Sequence, residues 1–202
     1  MSETVPATAP EPEHSPVAPE ELAARLASKL CHDFISPAGA IVSGLDLLDD
    51  PAAKDMRDEA MDLIATSARK LVDQLSFARI AFGAASGVAL FDCAEMERLT
   101  RGVYGHVRAE LDWAVATPSL PKAPAQVLVN LAQLAANALP LGGLARLAAE
   151  VKTGLAGGPL GDGLGGRWVQ AYYVYVLTAA AGGTIEAETG EELVTFRVAI
   201  PG

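Results

Sequence analysis

The sequence predicts an α+β protein in which an N-terminal antiparallel helical hairpin, forming a dimeric four-helix bundle, is followed by an α/β sandwich. Two observations support this prediction. Residues 19–83 repeat apolar side chains at helical spacing, whereas residues 88–202 alternate helix-like and strand-like runs separated by glycine and proline. We therefore expect a disordered arm over residues 1–18, rich in Pro, Ala, Glu and Thr, then the hairpin over 19–83 and a second domain over 88–202.

The hairpin is predicted from two long helical patterns joined by a short link. Helical periodicity runs from Pro19 to Asp49, and Asp49-Asp50-Pro51 supplies an N-cap carboxylate and a first-turn proline for the next helix. In that helix the apolar residues alternate in steps of four and three, like the seam of a bundle: Ile64, Ala68, Leu71, Leu75, Ala78 and Phe82. One hairpin leaves much of this seam exposed, so we expect a homodimer.

The second domain is predicted from shorter runs. They indicate an acid-capped helix from Phe91-Asp92 to about Arg108, a strand over 111–116, a loop over 119–124, helices over 125–139 and 168–181, and closing strands over 184–188 and 193–200. Helices and strands that occur in separate runs favour an α/β sandwich.

Composition limits the partners and the compartment. A net charge of −10 argues against nucleic acid or anionic lipid as the primary partner, because both require a basic surface. The two cysteines, Cys31 and Cys93, form neither a disulfide framework nor a metal-ligand spacing. Residues 1–18 lack a signal-peptide core, and the apolar run 168–181 is too short to span a bilayer. We expect a cytoplasmic protein that binds other proteins.

His32 is the candidate reactive residue. It lies on the side of the first helix away from the apolar seam, beside Asp33 and five residues before Pro37. The residues near His32 on the same face of the first helix have small side chains that would not block a partner: Ser36, Gly39, Ala40 and Ser43. Three residues of the second helix complete a predicted docking surface: Lys70, Gln74 and Phe77. On spacing alone, a lone histidine in a helix, such as His32, is usually an ordinary surface residue, and the small residues could pack against another helix. His14 and His106 are predicted to have no function.

The segment from Leu30 to Leu48 resembles the H-box of sensor histidine kinases, in which an acidic residue follows the phosphorylated histidine and a proline interrupts the helix. Gln133 to Leu139 is similar to the N-box of those kinases. The segment Gly163-Leu164-Gly165-Gly166 with Gly182-Gly183-Thr184-Ile185 is similar to their second glycine box. The chain resembles the ChpT-type histidine phosphotransferases of alphaproteobacteria more closely. This resemblance lies in the amino-acid sequences of four segments: Cys31–Pro37, Ile41–Leu48, Ser67–Leu71 and Gly163–Ala171.

This resemblance implies a dimeric hairpin that carries the active His32, and a second domain that is a degenerate, kinase-like (Bergerat ATPase-like) sandwich without nucleotide binding. It also implies relay of phosphoryl groups from the receiver domain of a CckA-like hybrid kinase to CtrA-like and CpdR-like response regulators of the cell cycle. One departure stands out: a typical member has further residues between Gly143 and Leu144, enough for two strands and a loop.

The implied chemistry needs a neutral imidazole that attacks an aspartyl phosphate. An exposed histidine is mostly neutral near pH 7. Asp33 would fix its tautomer or take its proton, and Lys70 or Arg69 would offset the phosphoryl charge. We expect no bound cofactor and no metal site, with Mg²⁺ supplied by the receiver domain.

Two other functions stay open: an ATP-dependent kinase core that phosphorylates its own His32, and a non-catalytic scaffold for receivers. The sequence has no Asp-x-Gly-x-Gly segment before Asp162, which follows the N-box-like run too late to serve as the adenine-binding aspartate of a kinase. We therefore expect no ATP binding.

Overall fold

The computed structural model describes residues 17–83, 90–108, 110–138, 154–158, 166–189 and 194–201. Its elements, in chain order, are α1 (Pro19–Asp49), a 3₁₀ turn (Lys54–Met56), α2 (Arg57–Ala81), β1 (Leu90–Asp92), α3 (Cys93–Tyr104), β2 (Ser119–Pro121), α4 (Lys122–Ala138), α5 (Gly166–Ala180), β3 (Thr184–Thr189) and β4 (Val194–Ala199). The described chain is mostly helical with two antiparallel two-stranded sheets, so the α+β class is confirmed. Most of the predicted arm, the site of the expected extra residues after Gly143 and the glycine run 163–165 lie outside the described residues.

Helix α1 begins at residues suited to a helix N-terminus and continues through an interior proline. Pro19 lies in the first turn, where its missing N–H costs nothing, and Glu20 and Glu21 place carboxylates beside the unpaired amides. Pro37 cannot donate a helical hydrogen bond. It is buried, and Gly44, seven residues later on the same face, is buried too. Packing on this face therefore stabilises the helix where the backbone hydrogen bond is missing.

Helices α1 and α2 pack along each other as a hairpin. The link turns sharply because the Asp50 carboxylate accepts a hydrogen bond from the Ala52 amide at 2.8 Å. The closest approach is at Gly44, where an added Cβ would lie 2.6 Å from Ile64 Cγ1 and 3.1 Å from the Ala60 carbonyl oxygen. A side chain at this position would therefore push the two helices apart.

The end of α2 is built into the core of the following layer. Phe77, Ile80 and Ala81 are buried in one cluster with residues of α3 and α4: Cys93, Met96, Leu99, Val103, Ala125 and Val129. The last carbonyl groups of a helix have no intrahelical donor, and burying them unpaired is costly. Here Gln126 Nε2 donates to the Ile80 and Gly83 oxygens at 3.1 and 3.0 Å.

The buried amide network continues beyond this helix end. Asn130 Nδ2 donates to the Ala81 oxygen at 3.0 Å. Its own Oδ1 accepts from Gln170 Nε2 of α5, also at 3.0 Å. Gln126, Asn130 and Gln170 are all almost fully buried. The network therefore joins α2, α4 and α5 through directional contacts that fix their relative positions.

Three predictions for the second domain differ from the structure. Residues 111–116 alternate in burial, with Trp113 and Val115 packed on the core, but they join no strand ladder among the described residues. Alternating burial requires only an extended backbone, not a hydrogen-bonded neighbour. Conversely, Ser119–Pro121 of the predicted loop forms β2 and pairs with β1, with Phe91 opposite Leu120. Helix α3 also ends at Tyr104, four residues before the predicted end.

The C-terminal elements match the sequence pattern closely. Helix α5 is followed by Gly182, whose φ of +69° favours glycine, and the chain then enters β3. Strands β3 and β4 pair antiparallel from Thr184↔Ala199 to Thr189↔Val194. Their inward side chains cover α4 and α5 in a second apolar cluster that includes Leu134, Val174, Ile185 and Phe196.

Candidate functional site

His32 lies in the middle of α1 with 87% of its side chain exposed. It lines a cleft of about 1280 Å³ between the hairpin and the layer formed by α3, α4 and α5. The walls come from α1 and α2 on one side and from the loop after α3, the end of α4 and the start of α5 on the other: Arg25, Ser28, Lys29, His32, Asp33, Thr66 and Lys70, facing Gly105, His106, Val107, Arg108, Ala136, Asn137, Trp168, Val169 and Gln170. The imidazole is open to a visiting molecule.

Contacts at both ends hold the cleft in place. At the start of α1, Leu22 and Leu26 pack with Trp168, Val169 and Tyr172 of α5. On the far side, His106 Nε2 lies 3.0 Å from Asp73 Oδ2 of α2, which fixes the loop after α3.

The loop after α3 is anchored a second time through the last residue of that helix. Tyr104 donates its phenolic hydrogen to the Ala132 oxygen at 2.7 Å. Burial raises the pKa of this phenol, so it remains a neutral donor near neutral pH. Residues 105–108 are therefore held against the cleft from both α2 and α4.

His32, Asp33 and Lys29 form a connected group on α1. The Asp33 carboxylate uses Oδ2 to accept a hydrogen bond from Lys29 Nζ, one helical turn earlier. Its other oxygen, Oδ1, lies 3.7 Å from His32 Nδ1, slightly longer than a hydrogen bond. Asp33 Oδ1, which accepts no side-chain hydrogen bond among the described residues, is thus the oxygen nearest to Nδ1 of the imidazole.

The cleft is basic although the chain is acidic. Among the described residues that line it, four are cationic (Arg25, Lys29, Lys70 and Arg108) and one is a carboxylate, Asp33; Arg25 also pairs with Glu21 beside the cleft. The whole chain, in contrast, carries a net charge of −10. A concave surface of one sign concentrates its field and attracts ligands of the opposite sign. The site therefore favours an anionic visitor.

The predicted docking residues divide by exposure. Ser36, Gly39 and Ser43 are exposed, Ala40 is half-buried, and Lys70 is half-buried and lines the cleft. Gln74 is half-buried, and its Oε1 has no hydrogen-bond partner among the described residues. Phe77 is only 2% exposed, so its assignment to a docking surface is wrong. The reason is that the last turns of α2 enter the core with α3 and α4, which the helical period cannot indicate.

Sequence reasoning missed the contribution of the second layer. Arg108 and Gln170 line the cleft, and so do Asn137, which the sequence places only in an N-box-like run, and His106, which we expected to have no function. Nothing in the local pattern places these residues opposite His32, because they meet it only through tertiary packing. The Lys29–Asp33 pair was detectable, since a cation and a carboxylate four residues apart on a helix are neighbours.

Within the described ranges, no three His, Cys, Asp or Glu side chains lie together in a way that could hold a metal ion. Among the same residues, no helix is both long and apolar enough to cross a bilayer.

Comparisons with known proteins agree with this geometry. The family model of the histidine phosphotransferase C-terminal domain matches residues 93–151 and 144–193, together half of the chain. The protein phosphotransferase ChpT of Brucella abortus (strain 2308) is 39% identical over 124 residues, which span 61% of this chain and 58% of the Brucella protein. A bacterial phosphotransferase solved at 1.7 Å superposes with a TM-score of 0.80 and 29% identity, covering 91% of this chain and 98% of the solved one. The chain therefore belongs to the histidine phosphotransferase family that this C-terminal domain defines.

Proposed function

We propose that this protein is a histidine phosphotransferase of a phosphorelay, in which His32 accepts a phosphoryl group from the aspartyl phosphate of one receiver domain and passes it to the aspartate of another. The single observation that carries the proposal is the 87% exposed imidazole of His32, which lies beside Asp33 and lines a cleft rich in cationic side chains. The Brucella relative is named a protein phosphotransferase, which supports the same type of reaction, and the alignment covers 58% of its length.

The proposed reaction balances without a cofactor. His32 Nε2 forms a bond to phosphorus while the bond to the receiver's carboxylate oxygen breaks, and the electron pair leaves with that carboxylate. The imidazole keeps its proton on Nδ1 and becomes cationic, which the Asp33 carboxylate stabilises. The second transfer reverses these steps on another receiver. Because phosphoryl transfer has a loose transition state, positioning and charge neutralisation supply most of the catalysis.

The surface around His32 fits a receiver domain. The exposed Ser36, Gly39 and Ser43 project little from α1, so a partner can bring its aspartate within bonding distance. The cationic lining, including Lys70 and Arg108, complements the acidic pocket with which a receiver binds Mg²⁺. We infer that the receiver brings this metal. The partners implied by the family resemblance are a CckA-like hybrid kinase and CtrA-like and CpdR-like regulators of the cell cycle in the cytoplasm.

We further propose a homodimer formed by two hairpins. Large apolar side chains on both helices are 47–68% exposed and lie three, seven or eleven residues apart: Ile35, Val42 and Leu45 on α1, and Met61, Val72 and Leu75 on α2. At about 100° per residue these positions form one stripe per helix, and both stripes lie on the same side of the hairpin. A second hairpin would cover them and complete a four-helix bundle. His32 lies roughly a quarter turn from the α1 stripe, so it would stay uncovered.

For the remaining residues we propose a division at 83–88 into the hairpin and a degenerate kinase-like domain that does not use ATP. The asparagine nearest the expected N-box position, Asn137, lies in the cleft. Two other amides of α4, those of Gln126 and Asn130, are engaged with the end of α2. The amides of this helix thus have a structural use that does not require a nucleotide.

A transfer assay tests the function and separates the alternatives. A phosphorylated receiver labelled on its aspartate is mixed with wild-type protein, with His32→Ala and with His14→Gln, which removes a histidine of the N-terminal arm. We expect wild type and His14→Gln to take up acid-labile label and His32→Ala to take up none. Uptake from labelled ATP alone would instead indicate a kinase. Binding of the receiver without label uptake by wild type would indicate a scaffold.

A further inference from the structure

Lys29 is held close to the reactive group although no catalytic step uses it. Its side chain is only 10% exposed, and its ammonium is bound to Asp33 Oδ2. A lysine that served only as a surface charge would keep its head group in water. Holding a rotamer-rich side chain in one place has an entropy cost, which the contact with Asp33 offsets.

The consequence of this contact falls on Asp33. Consecutive residues on a helix point about 100° apart, so the Asp33 carboxylate has no built-in reason to face His32. The second torsion of an aspartate side chain is also broad, which lets the carboxylate plane rotate. With Oδ2 bound to Lys29, the plane is fixed, and Oδ1 is the oxygen 3.7 Å from His32 Nδ1.

We propose that Lys29 is a positioning residue, which acts through Asp33 to hold His32 in the tautomer protonated on Nδ1. The inference rests on the proposed phosphotransfer function for its kinetic consequences. In this arrangement Nδ1–H points to Oδ1, and Nε2 keeps the lone pair that attacks phosphorus. When positive charge develops on the ring, a small rotation of the imidazole shortens the distance between His32 Nδ1 and Asp33 Oδ1 from 3.7 Å to that of a hydrogen bond, roughly 2.7–3.2 Å.

The charge of Lys29 has a second effect on the same step. Its ammonium balances part of the negative charge on Asp33, so the carboxylate aligns the imidazole without removing its proton. The proton therefore stays on Nδ1 throughout the transfer, and the histidine can return the phosphoryl group without first regaining a proton.

The test compares three variants of the full chain. Lys29→Met removes the ammonium and keeps the aliphatic stem, and Lys29→Arg keeps a cation that can bind the carboxylate. Arg25→Met is the matched control: Arg25 also lines the cleft and also pairs at i,i+4, with Glu21. Thermal unfolding of each variant verifies that the fold is retained.

The first readout is the ¹⁵N spectrum of the His32 imidazole in the protein alone. Wild type, Lys29→Arg and Arg25→Met should show mainly the form protonated on Nδ1, whereas Lys29→Met should shift toward the form protonated on Nε2, which an unrestrained imidazole prefers. An unchanged tautomer in Lys29→Met would overturn the proposal. This measurement needs no partner, so its outcome is separate from the failure of phosphotransfer itself.

The second readout is the rate of transfer from a phosphorylated receiver. At saturating receiver, Lys29→Met should be slower by roughly ten- to a hundredfold, the size found for outer groups that orient a metal-bound histidine. Arg25→Met should raise only the half-saturating receiver concentration. In Asp33→Asn, adding Lys29→Met should cause no further loss of the saturated rate. Equal loss of saturated rate in Lys29→Met and Arg25→Met would mean that cleft charge alone matters, and would contradict a positioning role.

Discussion

The close contact between α1 and α2 can be tested by placing the same methyl group at two glycines of one helix. Gly39 and Gly44 are both interior residues of α1. A Cβ at Gly39 would meet nothing within 4 Å, whereas at Gly44 it would lie 2.6 Å from Ile64 Cγ1 and 3.1 Å from the Ala60 oxygen. The substitutions Gly39→Ala and Gly44→Ala therefore differ only in their surroundings.

The expected free energies follow from two opposing effects. Replacing glycine by alanine inside a helix stabilises it by roughly 1 kcal/mol. At Gly39 this gain should appear almost in full, because the new methyl group touches nothing. At Gly44 the methyl group overpacks the helix contact, which costs about 1–3 kcal/mol. The free energy of unfolding of Gly44→Ala should thus be between zero and about 2 kcal/mol lower than that of wild type, and about 1–3 kcal/mol lower than that of Gly39→Ala.

The assay is urea unfolding followed by circular dichroism, at one fixed protein concentration for all variants. Shortening Ile64 to alanine removes the carbon atoms that overlap the new methyl group, so Gly44→Ala/Ile64→Ala should be more stable than the sum of the single changes by roughly 1 kcal/mol or more. Equal stabilisation by Gly39→Ala and Gly44→Ala would refute the close approach of the two helices.

Three further predictions follow from the same structure. Val72→Glu should convert the proposed dimer to a monomer in sedimentation experiments, because it places a charge in an exposed apolar stripe. Leu90→Glu changes a similarly exposed residue on β1 and should leave the dimer intact. A Val72→Glu variant that remains dimeric would contradict the stripe as the interface. Asn130→Ala should lower the free energy of unfolding by about 1–3 kcal/mol, because it leaves buried hydrogen-bonding groups of α2 and α5 without partners. Asn137 is exposed, so Asn137→Ala should change the free energy of unfolding by less than roughly 0.5 kcal/mol. Similar losses in both variants would contradict the buried network. Burial raises the pKa of Tyr104 in the folded state. The stability that this phenol contributes is therefore present below the pKa of a phenol in the unfolded chain, about 10, and is lost as the pH rises further. Above about pH 10, the free energy of unfolding should fall more steeply in wild type than in Tyr104→Phe.

The sequence predicted best where a local signal and tertiary packing agree. Helix α1 has the predicted bounds, Pro19 to Asp49, with its proline in the first turn. The predicted start of the second helix at Asp50-Pro51 is wrong, because the Asp50 carboxylate accepts from the Ala52 amide in the link and α2 begins only at Arg57, without a side-chain cap. The closing strands were found because glycines end the preceding helix and side chains then alternate. In the same way, the position of His32 on an exposed face follows from helical geometry alone.

Prediction failed where distant elements decide the environment. Phe77 has the spacing of a helix-surface residue, yet α3 and α4 cover it. The strand predicted over residues 111–116 has the right alternation but no neighbour to pair with among the described residues. The basic wall formed by Arg108 depends on a loop held by the contact between His106 and Asp73. No short pattern carries that information, because it resides in contacts between residues far apart in sequence.

The most direct measurement for the whole account is the location of the transferred phosphate. After brief incubation with a phosphorylated receiver and Mg²⁺, the protein is digested at alkaline pH, at which phosphohistidine survives, and the modified residue is identified by tandem mass spectrometry. The account predicts one phosphate per chain, labile to acid, on the peptide that contains His32 and bonded to Nε2 of that residue. Phosphate on His106, on an acidic residue or on no residue at all would contradict it.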